Sequence, residues 1–303
     1  MSIRTRGALI AMLAVTPAFA GTPINETRPL AADGQVHIEN VKGRIVVRTW
    51  ANPQVKITGT LGKGVEKLDV SGDNRSLDIR VRYPNSRGGW NLWGRDDNRT
   101  EPTVLEVTLP QRASVDVEAV SADVDVQQVA GRKLEVSAVS GNVIVTASSP
   151  GEASFENVSG DTTLRITTAK VEAQSVSGDL KISGGLTGDV SLETVSGNLE
   201  LGAKDLDNLE VNTVSGDAIL RAALRSGGRI KAETLSGELQ LMLPRATSAK
   251  LHVETFSGDI ASPSGHVDRE EHGPGAKLDT SLGDGRGRIE LQSFSGDVQL
   301  SLE

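Results

Sequence analysis

Apolar and polar residues alternate over most of this chain, and a short motif interrupts the alternation at nearly constant intervals. In one copy, Leu209 and Val211 precede the segment Thr-Val-Ser-Gly-Asp at 213–217, and Ala218 and Leu220 follow it. Alternation with a period of two puts every second side chain on the same face of a strand. Each copy therefore predicts two short strands, both with an apolar face directed inward, that meet at a corner.

The motif recurs from residue 119 to the end of the sequence. Its central serines lie 18 to 21 residues apart as far as Ser257, and the next one follows after 38. A period of this size is the signature of a repeat architecture. An antiparallel meander would pair unlike halves of the motif, whereas stacked parallel coils place equivalent residues on one another. We therefore predict an all-β fold: a single-stranded parallel β-solenoid, or β-helix, with about 19 residues per coil. The central serines are Ser121, Ser140, Ser159, Ser177, Ser196, Ser215, Ser236, Ser257 and Ser295.

A glycine follows the serine in all copies but the first, where Ala122 replaces it. Glycine adopts positive φ without steric cost, so these residues are predicted to be structural corners. The acid or asparagine after each glycine is expected to close its own turn, because one acid per coil is too few for a calcium ladder. Thr194, Thr213, Thr234 and Thr255 are expected to form a hydrogen-bonded ladder between coils. The corner glycines are Gly141, Gly160, Gly178, Gly197, Gly216, Gly237, Gly258 and Gly296.

The segments outside the regular repeats suggest the domain organisation. Residues 1–20 resemble a signal peptide, because two arginines precede a short apolar run that ends in Ala18-Phe19-Ala20. We then expect an N-terminal β region at 21–112, beginning with an extended leader, and solenoid repeats at 113–303 with an insertion at 261–277. The gap between Ser257 and Ser295 is predicted to hold one degenerate coil. Export implies a periplasmic or extracellular location.

A long loop at 83–102 is the best local candidate for binding. It holds aromatic and basic side chains together, a combination suited to a sugar or a partner protein. The alternative is that its tryptophans cover one end or side of the solenoid. The candidate residues are Tyr83, Arg87, Trp90, Trp93 and Arg95.

Composition excludes several functions. The formal charge is −8, and it becomes −10 once residues 1–20 are removed, because they contain two arginines and no acid. Binding to nucleic acid depends on basic side chains that neutralise phosphates, so we expect no nucleic-acid partner. No second apolar run reaches the roughly 18 residues of a membrane span. Cysteine is absent and the four histidines are dispersed, so we predict no metal site and no cofactor.

A resemblance rests on three features: the run Leu105-Glu106-Val107-Thr108-Leu109-Pro110, the serial Ser-Gly corners, and the closing segment Gly-Asp-Gly-Arg-Gly-Arg-Ile-Glu-Leu-Gln-Ser-Phe-Ser-Gly-Asp-Val at 283–298. Over roughly residues 33–303 the chain resembles the bacterial putative-adhesin family of exported β-strand-repeat proteins, a domain of unknown function. The resemblance implies an adhesin or an interaction scaffold of the cell envelope, without catalytic activity and without active-site residues to carry over.

Two further hypotheses remain open. A carbohydrate-active lyase or hydrolase on a β-helix scaffold is the alternative function, and it would need an outward cleft with at least two carboxylates and an arginine or lysine. The last coil, which ends at residues 298–303 in strand rhythm, would expose a backbone edge. That edge predicts self-association, in addition to an envelope protein or glycan as partner.

Overall fold

The computed structural model describes residues 21–84, 100–269 and 274–303, and strands account for most of them. In these residues there is no helix, and hence none that is long and apolar enough to cross a membrane. The fold is therefore all-β and solenoid-like. The strands are β1 (Thr22–Pro29), β2 (Gln35–Trp50), β3 (Gln54–Leu61), β4 (Lys67–Gly72), β5 (Ser76–Arg82), β6 (Thr103–Pro110), β7 (Ser114–Gln127), β8 (Lys133–Ser140), β9 (Val143–Ser148), β10 (Glu152–Ser159), β11 (Thr162–Ser177), β12 (Leu180–Ser196), β13 (Leu199–Ser215), β14 (Ala218–Ser236), β15 (Leu239–Leu243), β16 (Ala249–Ser257), β17 (Ile260–Ala261), β18 (Val267–Arg269), β19 (Ala276–Leu282), β20 (Gly287–Ser295) and β21 (Val298–Leu302).

Successive coils stack as parallel strands. Each coil has a first limb that leads into the Ser-Gly corner and a second limb that leaves it. In the first limbs Thr194 pairs with Thr213, and in the second limbs Leu180 pairs with Leu199. Apolar side chains of both limbs point inward and form one continuous core. The inward alternation predicted from the sequence is confirmed, and so is the parallel pairing of equivalent residues.

The eight corner glycines all have positive φ, between 117° and 157°. A side chain on any of them would overlap the backbone of the neighbouring corner; at Gly216, for example, it would meet the carbonyl oxygen of Gly197. Ala122 does not adopt a positive φ, and it lies within the unbroken strand β7. The corner at Ala122 therefore turns without the left-handed conformation.

The coils do not stack in chain order at the C-terminal end. The first limb β20 pairs with β14 on one side and with β16 on the other. The second limb β21 likewise lies between β15 and the short β17. The last coil of the chain is therefore internal, and the outermost coil is the one formed by β16 and β17. The prediction that the last coil of the chain exposes an open backbone edge is therefore wrong. Self-association itself stays a prediction.

The segment between Ser257 and Ser295 also differs from the sequence prediction. It does not form a degenerate coil. Instead β19 runs antiparallel along β16, and β18 runs antiparallel along β19. An outermost strand leaves backbone groups unpaired, and an antiparallel strand on that edge satisfies them.

The N-terminal end is arranged in the same way. Strand β2 contributes both limbs of the first coil, and it lies between β7 on one side and the pair β5 and β6 on the other. Antiparallel β4 covers β5, and β3 covers β6. Strand β1 adds a further antiparallel strand on β3, so the predicted extended leader is part of the sheet. Since β2 pairs with β7, the sheet is continuous across the predicted domain boundary at 112.

Candidate functional site

A row of exposed apolar side chains follows the corner along the solenoid. Each member precedes the serine of its corner, and each is between 44% and 60% exposed. The preceding residue of the coil points inward, as Thr194 does before Val195, so the apolar side chain that follows is directed to solvent. This row, the corner stripe, consists of Val120, Val139, Val158, Val176, Val195, Val214, Leu235, Phe294 and Phe256.

Two phenylalanines end the corner stripe at the C-terminal end of the solenoid. The rings of Phe256 and Phe294 stack with their centroids 4.9 Å apart and their planes 5° from parallel. The two residues are 38 positions apart in the chain and become neighbours only because β20 lies beside β16. Aromatic side chains that are both large and exposed are typical anchors of protein interfaces.

A groove of about 920 Å³ runs along the stripe from the coil of Val158 to the C-terminal end. Its charged lining residues are all acidic: Glu156, Glu193, Glu233 and Glu254. These glutamates lie two positions before the stripe residue of their coil, on the same outward face. Glu233 is paired with Lys231, which lies outside the groove lining, at 2.9 Å.

The corner acids form a second acidic row on the other side of the stripe. Their side chains do not close their own turns, which corrects the sequence prediction. In seven of the nine corners the Oδ1 of the aspartate or asparagine accepts a hydrogen bond from the backbone amide of the equivalent residue in the adjacent coil, as Asp179 does from Asn198 at 2.9 Å. Seven such bonds, of 2.8 to 3.2 Å, connect successive corners. The acids thereby stabilise the stacking of coils, and they place negative charge beside the stripe.

The threonines next to the stripe face inward. Thr194, Thr213 and Thr234 are at most 6% exposed, and their hydroxyls have no hydrogen-bond partner among the described residues. Thr255 donates instead to the carbonyl oxygen of Gly296, at 3.4 Å. The expected ladder of hydroxyls from coil to coil is therefore wrong, because three of the four hydroxyls have no such partner and the fourth donates to a backbone carbonyl.

A second, polar groove of about 640 Å³ lies at the start of the first limbs. It contains the residue types required for the enzyme hypothesis, with Glu152, Glu172, Asp189 and Glu210 beside Lys133, Lys170, Arg229 and Lys231. A general acid needs a carboxyl pKa raised toward the working pH. Here a hydrogen bond from Lys170 and its charge lower the pKa of Glu152. The carboxyl therefore stays ionised, and it is a poor proton donor.

Tyr83 lies where the corner of the outermost N-terminal coil would be. Its hydroxyl donates to Oδ1 of Asn40 at 2.8 Å and accepts from the backbone amide of Lys42 at 3.2 Å. Partial burial raises the pKa of this phenol. The hydroxyl is therefore engaged at the end of the solenoid, and the ring packs partly buried against the core. The other predicted binding residues, Arg87, Trp90, Trp93 and Arg95, lie outside the described residues, so binding by this loop stays a prediction.

The fold brings one histidine next to acids that the sequence does not place beside it. His37 Nδ1 lies 2.9 Å from Oδ2 of Asp116, and Glu118 is on the same outward face as Asp116. The signal was present in the repeat frame, since the segment Val-His-Ile-Glu at 36–39 has the same pattern as Val-Asp-Val-Glu at 115–118. Alignment of these segments would have placed His37 opposite Asp116.

Comparison with known proteins gives a family and no function. No curated protein matches the sequence. Solved structures with similar folds include a putative adhesin from Parabacteroides merdae (10% identity, 93% of this chain and 97% of that one, TM-score 0.48). Others are a putative lipid binding protein from Parabacteroides distasonis (11%, 93% and 98%, 0.47) and a putative adhesin from Bacteroides fragilis (13%, 93% and 99%, 0.44). At these identities and scores the likenesses carry no information on function.

The family is decided by a match over most of the chain. The model of the Toastrack DUF4097 family matches residues 34–301. This match agrees with the resemblance drawn from the corner motifs, which is thereby confirmed. The protein belongs to the Toastrack DUF4097 family.

Proposed function

We propose that this chain is an exported, non-catalytic scaffold of the cell envelope, which binds a partner protein along the corner stripe. A coil of about 19 residues is the repeating unit of the scaffold. The observation that carries the proposal is the stripe itself: nine large apolar side chains, 44% to 60% exposed, at the same position of consecutive coils. A contiguous apolar surface of this kind marks an interaction site more often than an ordinary surface.

The charge around the stripe indicates the chemistry of the partner. One acidic row precedes the stripe and another follows it, and no lysine or arginine of the described residues lines the groove. A partner with apolar side chains flanked by basic ones would be complementary to the apolar stripe and to the acidic rows beside it. An anionic surface, or a second copy of the same stripe, would bring like charges together. Phe256 and Phe294 supply the bulkiest contact and would anchor the partner at the C-terminal end.

The test uses a labelled amphipathic peptide of leucine and lysine as probe, with fluorescence anisotropy as the measurement. The variant Val176→Thr/Val195→Thr/Val214→Thr keeps β-branched side chains of the same shape but removes apolar surface. Loss of three methyl contacts is expected to weaken binding roughly tenfold or more. Added salt should weaken it further, because exposed charges are screened.

The matched control is Ile144→Thr, which changes a side chain that is 43% exposed and lies outside the stripe. It should bind the probe as the wild type does. A peptide with glutamate in place of lysine should bind less well than the lysine peptide. Equal binding by the stripe variant, or equal binding of the two peptides, would contradict the proposal.

The loop 83–102 and self-association remain additional proposals for partner binding. Three arginines and two tryptophans in residues 83–102 would suit a protein or glycan ligand. The same anisotropy assay with Trp90→Ala/Trp93→Ala separates the loop from the stripe, because the two sites share no residue. Sedimentation at high concentration tests self-association, and a strictly monomeric chain would remove that proposal.

The second candidate function is a carbohydrate-active enzyme that uses the polar groove. The acids and bases that line this groove favour it, whereas the lowered pKa of Glu152 does not. A loss of polysaccharide viscosity on incubation with the wild type, abolished by Glu172→Gln/Asp189→Asn, would support the enzyme. Unchanged viscosity with the wild type across acidic and basic polysaccharides would count against it.

A further inference from the structure

We propose that His37, Asp116 and Glu118 bind one divalent transition-metal ion, with zinc as the best fit. One ligand atom from each of the three side chains lies within 4.8 Å of the others. In a tetrahedral zinc site, bonds of about 2.1 Å separate the ligand atoms by roughly 3.4 Å. Small side-chain rotations therefore suffice to close the three atoms around an ion.

The backbone that carries the three ligands is held in place. Strands β2 and β7 pair in register from Gln35 to Val47, and His37 lies directly opposite Asp116. The residues that alternate with the ligands, including Ile38 and Val117, are fully buried in the core. Asp116 and Glu118, two positions apart on one strand, point to the same outward face. The site is thus built on two adjacent, rigid strands and not on a loop.

The donor set selects the kind of ion. An imidazole nitrogen with two carboxylates is a ligand set for zinc and related first-row metals, whereas calcium and magnesium prefer oxygen ligands alone. Three protein ligands leave a fourth tetrahedral position for water or for a group of a bound partner. Next to the site, Arg80 is engaged with Asp78 at 2.6 Å and with Glu39 at 3.4 Å. Arg80 is therefore paired mainly with acids outside the ligand set, and the charge of Glu118 acts on it less strongly than those of Asp78 and Glu39.

His252, at the opposite end of the solenoid, shows what a non-ligating arrangement looks like. Its Nδ1 lies 2.7 Å from Asp279, but its Nε2 faces Glu254 at 3.7 Å. The two acids thus contact different nitrogens of the ring, and one ion cannot use both. Lys277 also contacts Asp279, at 3.3 Å. His252 is consequently a matched control for His37: a surface histidine beside two acids without the convergent geometry.

The experiment is calorimetric titration of the chain with zinc chloride, after purification without a histidine tag and dialysis against a chelator. Wild type should bind one equivalent. His37→Gln and Glu118→Gln should each weaken binding at least tenfold, and His252→Gln should leave it unchanged. Titration with Co²⁺ provides a second readout, since a tetrahedral site gives strong visible absorption that His37→Gln should abolish.

Circular dichroism of each variant confirms that the fold is retained, which is expected because all three ligands lie on the outer face. Absence of zinc binding by the wild type would overturn the proposal. Binding that persists unchanged in His37→Gln, or that is lost in His252→Gln, would overturn it as well. None of these outcomes depends on the corner stripe, so the metal site and the proposed function can fail separately.

Discussion

At the N-terminal end of the solenoid the outermost coil is formed by β5 and β6, whereas at the C-terminal end it is formed by β16 and β17. The first coil of the chain, formed by β2, and the last coil, formed by β20 and β21, each lie one position inside the outermost coil. Each of them pairs with another coil on both sides. Neither the first nor the last coil of the chain therefore forms an end of the stack. The terminal segments of the repeat, which would fray most easily, are held between two other coils.

The two ends differ in what covers them. At the N-terminal end, antiparallel strands cover both limbs of the outermost coil, and the sequence between these limbs, residues 83–102, lacks the Ser-Gly corner motif. At the C-terminal end, the antiparallel strands among the described residues cover only the first limb, and the corner is intact with Phe256 exposed. The corner stripe thus reaches the C-terminal end and is interrupted before the N-terminal one. A partner that binds along the stripe has its free approach from the C-terminal end.

Deletion of residues 287–303 tests the comparison most severely. This removes β20 and β21, including Leu291 and Leu300, which are at most 4% exposed. Each buried side chain of this size contributes about 1.5–3 kcal/mol, and the deletion also leaves an empty position between β14 and β16. We expect the loss of cooperative unfolding and of soluble protein, measured by urea titration with far-UV circular dichroism.

The control for this deletion is removal of residues 22–29 at the other end. Among the strands of the described residues, β1 pairs with β3 alone, and Ile24 is its buried apolar residue. This shorter chain should still unfold cooperatively. If the chain without 287–303 unfolded at nearly the same urea concentration as the full chain, the last coil would not be internal.

The substitution Gly216→Ala tests the regular part of the solenoid between the ends. The residue has a φ of 117°, and a methyl group would overlap the carbonyl oxygen of Gly197. Strain and overlap together should lower the free energy of unfolding by about 2–4 kcal/mol. Ala122→Gly is the control, at a corner where φ is not positive, and its cost should stay at about 1 kcal/mol. Equal losses would contradict the distinction between the two corners.

The regular coils could be predicted from the sequence because the residues of each coil specify its two strands and its corner. Alternation gives the inward face, and glycine gives the corner. The stacking order could not be predicted, because all coils present nearly the same backbone edge and any coil can stack on any other. The gap of 38 residues before Ser295 fits both a skipped coil and an inserted one.

The candidate sites were harder to predict for a related reason. Val214 is part of the corner motif, and its exposure follows only from the phase of the alternation, since both Val211 and Thr213 point inward. The group of His37 with Asp116 joins residues 79 positions apart, so it depends on which coil lies next to β2. Chemistry formed between coils therefore requires the stacking order, which a single coil does not specify.

Tyr83→Phe probes the closure of the N-terminal end with a smaller effect. The hydroxyl satisfies Asn40 and the amide of Lys42, and phenylalanine would leave both without this partner. The free energy of unfolding should fall by about 1–2 kcal/mol. Phe294→Leu at the C-terminal end removes the ring stack of two exposed side chains, and it should cost no more than about 1 kcal/mol. If Phe294→Leu lowered the free energy of unfolding more than Tyr83→Phe does, the C-terminal ring stack would contribute more to stability than the N-terminal hydroxyl, contrary to this prediction.

The smallest expected effect concerns the acid that contacts His252 at the C-terminal end. A hydrogen bond from His252 and a further one from Lys277 lower the pKa of Asp279. A carboxyl whose pKa is lower in the folded state stabilises that state above its unfolded pKa of about 3.9, and this contribution is lost as the pH falls through the lowered value. Asp279→Asn should therefore be slightly less stable than the wild type near neutral pH, with the difference vanishing in acid. Urea titrations across the acidic range would show this convergence; a difference that persists at the lowest pH would mean that the ionised carboxylate is not what stabilises this end.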